Sequence, residues 1–304
     1  MNMNSKSTKI VKWSVAILIL VLWLFKSNGI IASVFVDNEK RLKEVDISQY
    51  SSVSRVYPYV SEQSDRGDYI DTYSIAGAAF CETEATNYLR EVELILKSEK
   101  GAYAIKAAPS EDISFYDQFQ DIKRIRGKEI GFRVNFSTIN LPSGIYELYI
   151  YVRETEDIYG IGNSGYKYIK DKDGFRSFDY GQQIDLDSDC FIETDIPFAY
   201  DAVTNNEDGT TYIGGWQALK KSESSDTSVY IEIKTSDGCR YFEVEKAIRK
   251  DIMVALGDNY MMSGMHNSLD TRLFEPGNYH TRVVVRYGGK YYISSRSESV
   301  LIQK

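Results

Sequence analysis

Val92-Glu93-Leu94-Ile95-Leu96-Lys97, closed by Gly101, and Val229-Tyr230-Ile231-Glu232-Ile233-Lys234, closed by Gly238, are one passage written twice at a spacing of 137 residues. In each copy Val92-x-Leu94-x-Leu96 or Val229-x-Ile231-x-Ile233 repeats with a period of two, the signature of a strand with one face buried. The glycine that follows turns the chain back into Tyr103 or Tyr241. Further landmarks recur in the same order on both sides. Ile75-Ala76-Gly77 returns as Ile213-Gly214-Gly215, Gly131-Phe132 as Gly264-Met265, and Gly144-Ile145-Tyr146 as Gly277-Asn278-Tyr279. The spacing drifts from 138 to 133, as loop-length changes produce, so the chain is an internal repeat.

Tyr146-x-Leu148-x-Ile150-x-Val152 alternates like its partner Tyr279-x-Thr281-x-Val283-x-Val285. A last strand is read through Tyr166-Lys167-Tyr168-Ile169 in one unit and Lys290-Tyr291-Tyr292-Ile293 in the other. Short strands with turn signals roughly every 8–12 residues, and no long helical period, predict a β-sandwich for each unit. Residues 117–125 and 244–256 are expected to be helical or irregular crossovers.

Leu141-Pro142-Ser143-Gly144-Ile145-Tyr146 and Phe274-Glu275-Pro276-Gly277-Asn278-Tyr279 place a tyrosine two residues after the glycine of a Pro/Gly turn. This pattern resembles the tyrosine corner of immunoglobulin-like and fibronectin type III sandwiches. The resemblance covers both units and implies that Tyr146 and Tyr279 tie a cross-sheet loop to the backbone. No cysteine follows two residues later, so the antibody-type inter-sheet disulfide is absent. The landmarks also resemble small sandwich modules of bacterial cell-envelope proteins, which implies an envelope role without an activity.

The 304 residues accommodate about two domains of the usual size. With 36 Lys+Arg against 44 Asp+Glu the net charge is −8, which argues against a nucleic-acid partner. Lys6, Lys9 and Lys12 precede an uncharged run from Trp13 to Phe25, and the apolar stretch continues past Lys26. Carried to Ile31 it has 19 residues, enough to span a bilayer with Lys26 reaching the far headgroups. Residues 1–12 are therefore read as a cytoplasmic tail, 13–31 as a transmembrane signal-anchor helix, and 37–46 as a charged stalk. A cleaved signal peptide ending near Ser27-Asn28-Gly29 is the competing reading, and it leaves the rest secreted. Either way the region after Asp37 is extracytoplasmic.

Cys81, Cys190 and Cys239 occupy non-equivalent places, so no repeated disulfide framework exists and any pairing is open. His266 and His280 flank the second corner and are read as surface residues. Asp185-Leu186-Asp187-Ser188-Asp189 offers three carboxylates in alternation. The run fails as an EF-hand loop, yet an extended segment would bring Asp185, Asp187 and Asp189 to one side for Ca²⁺. No other cofactor is implied, and no nucleophile elbow, phosphate loop or zinc signature occurs. Tyrosines cluster at Tyr57-Pro58-Tyr59, Tyr146/Tyr149/Tyr151, Tyr166/Tyr168 and Tyr291/Tyr292. Neighbours on a strand face opposite ways, so some rings point outward, where they can meet a sugar ring or a protein. Trp216 is expected in the core.

The fold class expected is all-β: two tandem immunoglobulin-like β-sandwich domains, residues 47–180 and 190–304, after an N-terminal transmembrane helix. The function expected is a non-enzymatic, membrane-anchored binding or scaffold module of the bacterial envelope, recognising a surface polysaccharide or protein partner. An accessory enzyme of envelope glycan modification and a purely structural spacer are the alternatives.

Overall fold

The computed structural model describes residues 40–66, 71–82, 91–120 and 127–303, together with Ile17. The expected anchor, 13–31, lies outside the described residues apart from Ile17, as do residues 37–39. Among the described residues no helix is long and apolar enough to cross a membrane.

The N-terminal half runs β1 (Lys43–Val45), β2 (Val56–Asp65), β3 (Thr72–Cys81), β4 (Glu91–Ser98), β5 (Gly101–Ser110), α1 (Ile113–Phe119), β6 (Gly131–Ser137), β7 (Gly144–Arg153), β8 (Tyr159–Asp171) and β9 (Gly174–Ser177). The C-terminal half runs β10 (Gln183–Ile184), β11 (Phe191–Thr194), β12 (Phe198–Asn205), β13 (Thr210–Gln217), β14 (Ser228–Thr235), β15 (Gly238–Glu243), β16 (Glu245–Ala247), α2 (Lys250–Leu256), β17 (Gly264–Asp270), β18 (Gly277–Tyr287), β19 (Lys290–Ser294) and β20 (Glu298–Ile302).

One layer of the C-terminal sandwich is β12-β13-β17-β16; the other is β10-β15-β14-β18-β19-β11, with β20 also on β18. The N-terminal half follows this order as β2-β3-β6 against β5-β4-β7-β8-β9, with β1 on β5, except that the end of β5 also pairs with β6, in the place of β16, and joins the two layers into one sheet. This is the layer order of immunoglobulin-like sandwiches. The alternation read in β4 and β14 decides which side chains meet between the layers. Leu94, Leu96, Phe132 and Ile150 fill the first core, and Ile231, Ile233, Phe242 and Val283 the second. Tyr146 Oη donates to the Pro142 carbonyl at 2.5 Å, and Tyr279 Oη to the Glu275 carbonyl at 2.6 Å.

The repeated Ile-x-Gly has a backbone cause. β2 and β12 bulge between Val60 and Glu62 and between Tyr200 and Ala202, where they pair with β3 and β13. Beside each bulge a carbonyl of the neighbouring strand approaches Gly77 or Gly215 so closely that no side chain fits.

Several expectations change. The helices are Ile113–Phe119 and Lys250–Leu256, and Val244–Leu256 also contains strand β16. Tyr166–Ile169 does not correspond to Lys290–Ile293. Tyr168 pairs with Tyr146, whereas Tyr279 pairs with Val300. β8 is one strand with a shift in register that does the work of β19 and β20 together. Trp216 is half-buried rather than core, because Ile213 and Gly215 take the inward positions.

Within the segment read as a stalk, Lys43–Val45 is a strand of the sheet. β1 pairs with β5, Asp46 accepts from Ser48 N at 2.9 Å to cap the 3₁₀ turn Ile47–Gln49, and Tyr50 lands on the outer sheet face. The connector does the same for the other half at an offset of 141 residues. β10 pairs with β15, Asp187 accepts from Asp189 N at 3.1 Å to cap the turn Ser188–Cys190, and Phe191 covers Tyr241.

The halves share a third apolar cluster, in which Phe80, Phe115 and Phe119 of the first pack with Met253, Met261 and Met262 of the second. Lys167 pairs with Glu243 and Arg55 with Glu223 across the same junction. Lys246 is buried beside them, its Nζ donating to the carbonyls of Ser224, Ser225 and Thr227 at 3.2, 2.7 and 2.5 Å. Burial first, and then the nearby Lys167 cation, push the Lys246 ammonium down to about 7, against the carboxylates of Asp226, Glu147 and Glu243. The unfolded chain, with a lysine near 10.4, holds a proton that the native state has lost above pH 7. Stability therefore rises with pH through that window. We expect a gain of about 2 kcal/mol between pH 7 and 9 in denaturant titrations, from ~1.4 kcal/mol per unit of proton linkage. Lys246→Met should flatten the gain; a slope unchanged in that variant would assign it to other groups.

Candidate functional site

The outer face of the β5-β4-β7-β8 layer carries an assembly of polar and aromatic side chains around a trough. The inward positions of β4 belong to Val92 and Leu94, so Glu91 and Glu93 stand on the opposite face. Cross-strand pairing sets Lys106 against Glu93, and its Nζ lies 2.6 Å from Glu91 and 3.9 Å from Glu93. The Glu91 carboxylate, through this hydrogen bond, raises the Lys106 ammonium above its usual range. β7 contributes Tyr149, Tyr151 and Arg153 to the same face, and β8 contributes Tyr159.

Tyr50 is brought in by the covering segment. Its ring meets Tyr151 edge to face at 5.2 Å, and its hydroxyl donates to Glu93 at 2.6 Å. Burial, and then Glu93, raise its phenol well above the usual range, so it stays a donor. Arg153 donates to Tyr151 Oη at 3.1 and 2.9 Å, and its guanidinium lies 5.6 Å from the Tyr159 ring centre. Between these side chains runs a trough of about 340 Å³, lined by Tyr50, Glu91, Glu93, Tyr151, Arg153 and Tyr159. At Tyr50 and Glu93 it opens into a larger groove of about 730 Å³.

The repeat supplies an internal control. Glu91, Glu93 and Lys106 correspond to Ser228, Tyr230 and Glu243, and Tyr149 and Tyr151 to Arg282 and Val284, by their places in the two ladders. In the C-terminal half Tyr230, Tyr241, Val284 and Ile293 pack under Ile184, Leu186 and Phe191, and Glu243 is spent on Lys167.

Asp185, Asp187 and Asp189 are not aligned along a strand. Asp187 turns back to cap Ser188–Cys190, and the break from extended geometry removes the expected alternation. Among the described residues no three His, Cys, Asp or Glu side chains converge as a metal site. Asp187→Ala should cost about 1 kcal/mol, as a lost cap does, equally in Ca²⁺ and in EDTA. A midpoint shift with Ca²⁺ in the unmodified protein alone would contradict this. Asp171-Lys172-Asp173-Gly174 forms the β8–β9 turn, where Asp171 binds Arg176 at 2.9 Å.

Cys81, Cys190 and Cys239 form no disulfide among the described residues. Burial pushes the Cys81 thiol up to about 12, and a hydrogen bond to Asp187 raises that of exposed Cys190. His266 meets Tyr212 Oη at 3.0 Å, and His280 is exposed on β18. The expected tyrosine clusters divide. Tyr57 stacks on Phe80 and Tyr59 on Phe115 at the junction, and Tyr146 and Tyr168 lie in the core. Tyr149 and Tyr151 alone of the quoted clusters belong to the trough face. Glu91, Glu93, Lys106 and Arg153 belong to no motif; the readable signal for the first three was their departure from the repeat, whereas Arg153 and Tyr159 recur as Arg286 and Tyr291.

No protein-family model and no curated protein matches the chain. Among solved structures the chain is similar to a crystal structure of the chicken CNTN1 FN1-FN3 domains, at 11% identity and a TM-score of 0.23. The match covers 81% of this chain and 64% of that one, so the chain spans under two thirds of that structure's length.

Proposed function

We propose that the chain is a non-enzymatic binding module of the bacterial cell envelope, held to the membrane by residues 13–31, and that its trough takes a surface polysaccharide. The observation that carries this reading is the asymmetry of the repeat. In one half Ile184, Leu186 and Phe191 close over this face, while the other keeps Glu91, Glu93 and Lys106 beside Tyr50, Tyr151 and Tyr159. Flat rings next to paired donors and acceptors suit a ligand with apolar ring faces and a rim of hydroxyls. The twelve residues from Ile31 to Lys43 reach at most ~40 Å, so the trough works close to the bilayer.

The test is binding of the full chain, in detergent, to an array of envelope glycans. Tyr159→Ala and Glu93→Gln are each expected to weaken binding about tenfold, the equivalent of ~1.4 kcal/mol. Tyr291→Ala in the other half should leave it unchanged. Equal losses in both halves, or a blank array, would sink the reading. A structural spacer is the second reading, favoured by the shared apolar cluster that joins the halves.

A further inference from the structure

We propose that the larger groove, between β1 and β6, is an anion subsite, and that the polysaccharide it serves is acidic, bearing carboxylate or phosphate groups. This rests on the reading of the trough as a glycan site and names the class of glycan. Lys40, Lys43, Lys106 and Arg133 line the groove against a single carboxylate, Glu93. On a chain of net charge −8 this is a local reversal of sign.

The cations converge from separate parts of the sequence. Lys40 and Lys43 arrive with the covering segment, which β1 and the Arg41–Ser137 bridge hold against the sandwich. Lys106 comes from β5 and Arg133 from β6. The pairings of Lys106 with Glu91 and Arg133 with Glu62 are exposed at the cation end and worth little individually, so an incoming anion can replace them. Asn135 Oδ1 is buried, lines the same groove and has no hydrogen-bond partner among the described residues. It is an acceptor for a sugar hydroxyl. The other half has lost the set: by register and offset Lys43, Lys106 and Arg133 correspond to Ile184, Glu243 and His266.

An acidic polysaccharide fits better than an anionic bilayer. The cations lie in a recess continuous with the trough, which a single polymer chain can enter and a flat bilayer cannot, and the net negative charge of the chain opposes approach to a flat anionic surface.

The experiment measures affinity of the full chain in detergent for polygalacturonate, poly(glycerol phosphate) and neutral dextran, and for phosphatidylglycerol/phosphatidylcholine vesicles with the protein in nanodiscs. One or both acidic polymers should bind at least tenfold tighter than dextran, the better of the two naming the anion, with affinity falling as salt rises. Lys43→Glu and Arg133→Glu should remove at least tenfold of that affinity. Dextran binding as tight as the acidic polymers, and indifferent to the charge reversals, overturns the subsite while the trough stands. Acidic-polymer binding lost on charge reversal but untouched by Tyr159→Ala keeps the subsite and overturns the aromatic trough. No polymer binding overturns both, and vesicle binding stronger than any polymer assigns the groove to the membrane instead.

Discussion

Lys167→Met is expected to lower the unfolding free energy by about 3–5 kcal/mol, the cost of leaving one member of a buried ion pair without its partner. Lys167 reaches from β8 across the junction to Glu243 at the end of β15, and the two side chains are only 14% and 12% exposed. Its Nζ also donates to Ser228 Oγ at 3.0 Å. Removing the ammonium strands the Glu243 carboxylate beneath the interface. The double variant Lys167→Met/Glu243→Leu should recover most of the loss, because desolvating two charges costs nearly as much as their attraction returns. Denaturant titration of the four proteins closes the cycle. A single-variant loss below ~1 kcal/mol would place the pair in effective contact with solvent.

Gly77→Ala and Gly215→Ala are the second large effect, about 3 kcal/mol each, at the upper end for forcing atoms into filled space. A Cβ on Gly77 would sit 1.9 Å from the Tyr59 carbonyl oxygen, and one on Gly215 2.2 Å from that of Ala199. Backbone cannot swing aside as a side-chain tip can, so the bulged strand must part from its neighbour. Gly144→Ala is the control: its nearest neighbour is the Tyr146 ring at 3.8 Å, and it should stay within ~0.5 kcal/mol of the unmodified protein. Comparable losses at Gly77 and Gly144 would refute close backbone approach as the reason for the repeated Ile-x-Gly.

What could be read in advance was what depends on near neighbours in sequence. Period-two alternation in β4 and β14, and the Gly-x-Tyr corners, are local patterns with a direct structural meaning. Tyr166–Ile169 is a strand as read, but it is neither the last of its unit nor the match of Lys290–Ile293, because β8 absorbs a shift in register that β19 and β20 resolve by breaking, and strand breaks leave no mark on periodicity. Trp216 failed for a different reason. Its counterpart Ala78 is buried only because the junction covers that face, so burial in one half says nothing of the other. The carboxylates of 185–189 suggested a cation, yet Asp187 serves a local backbone turn, a role that spacing alone does not distinguish. The trough was illegible because Glu93 meets Lys106, and Tyr50 meets Glu93, only once pairing and the covering segment are known.

That covering segment also redraws the ancestral unit. The turns capped by Asp46 and Asp187, and the rings of Tyr50 and Phe191 that follow them, occur once per half at the same place. The piece of chain that was duplicated therefore began with its own lid, before the first core strand. A fragment cut at residue 190 discards Ile184, Leu186 and Asp187 and uncovers Tyr230 and Tyr241, whereas one begun at Gln183 carries its roof with it. The natural seam lies between Gly181 and Gln183, several residues earlier than the run of acids that looks like a linker.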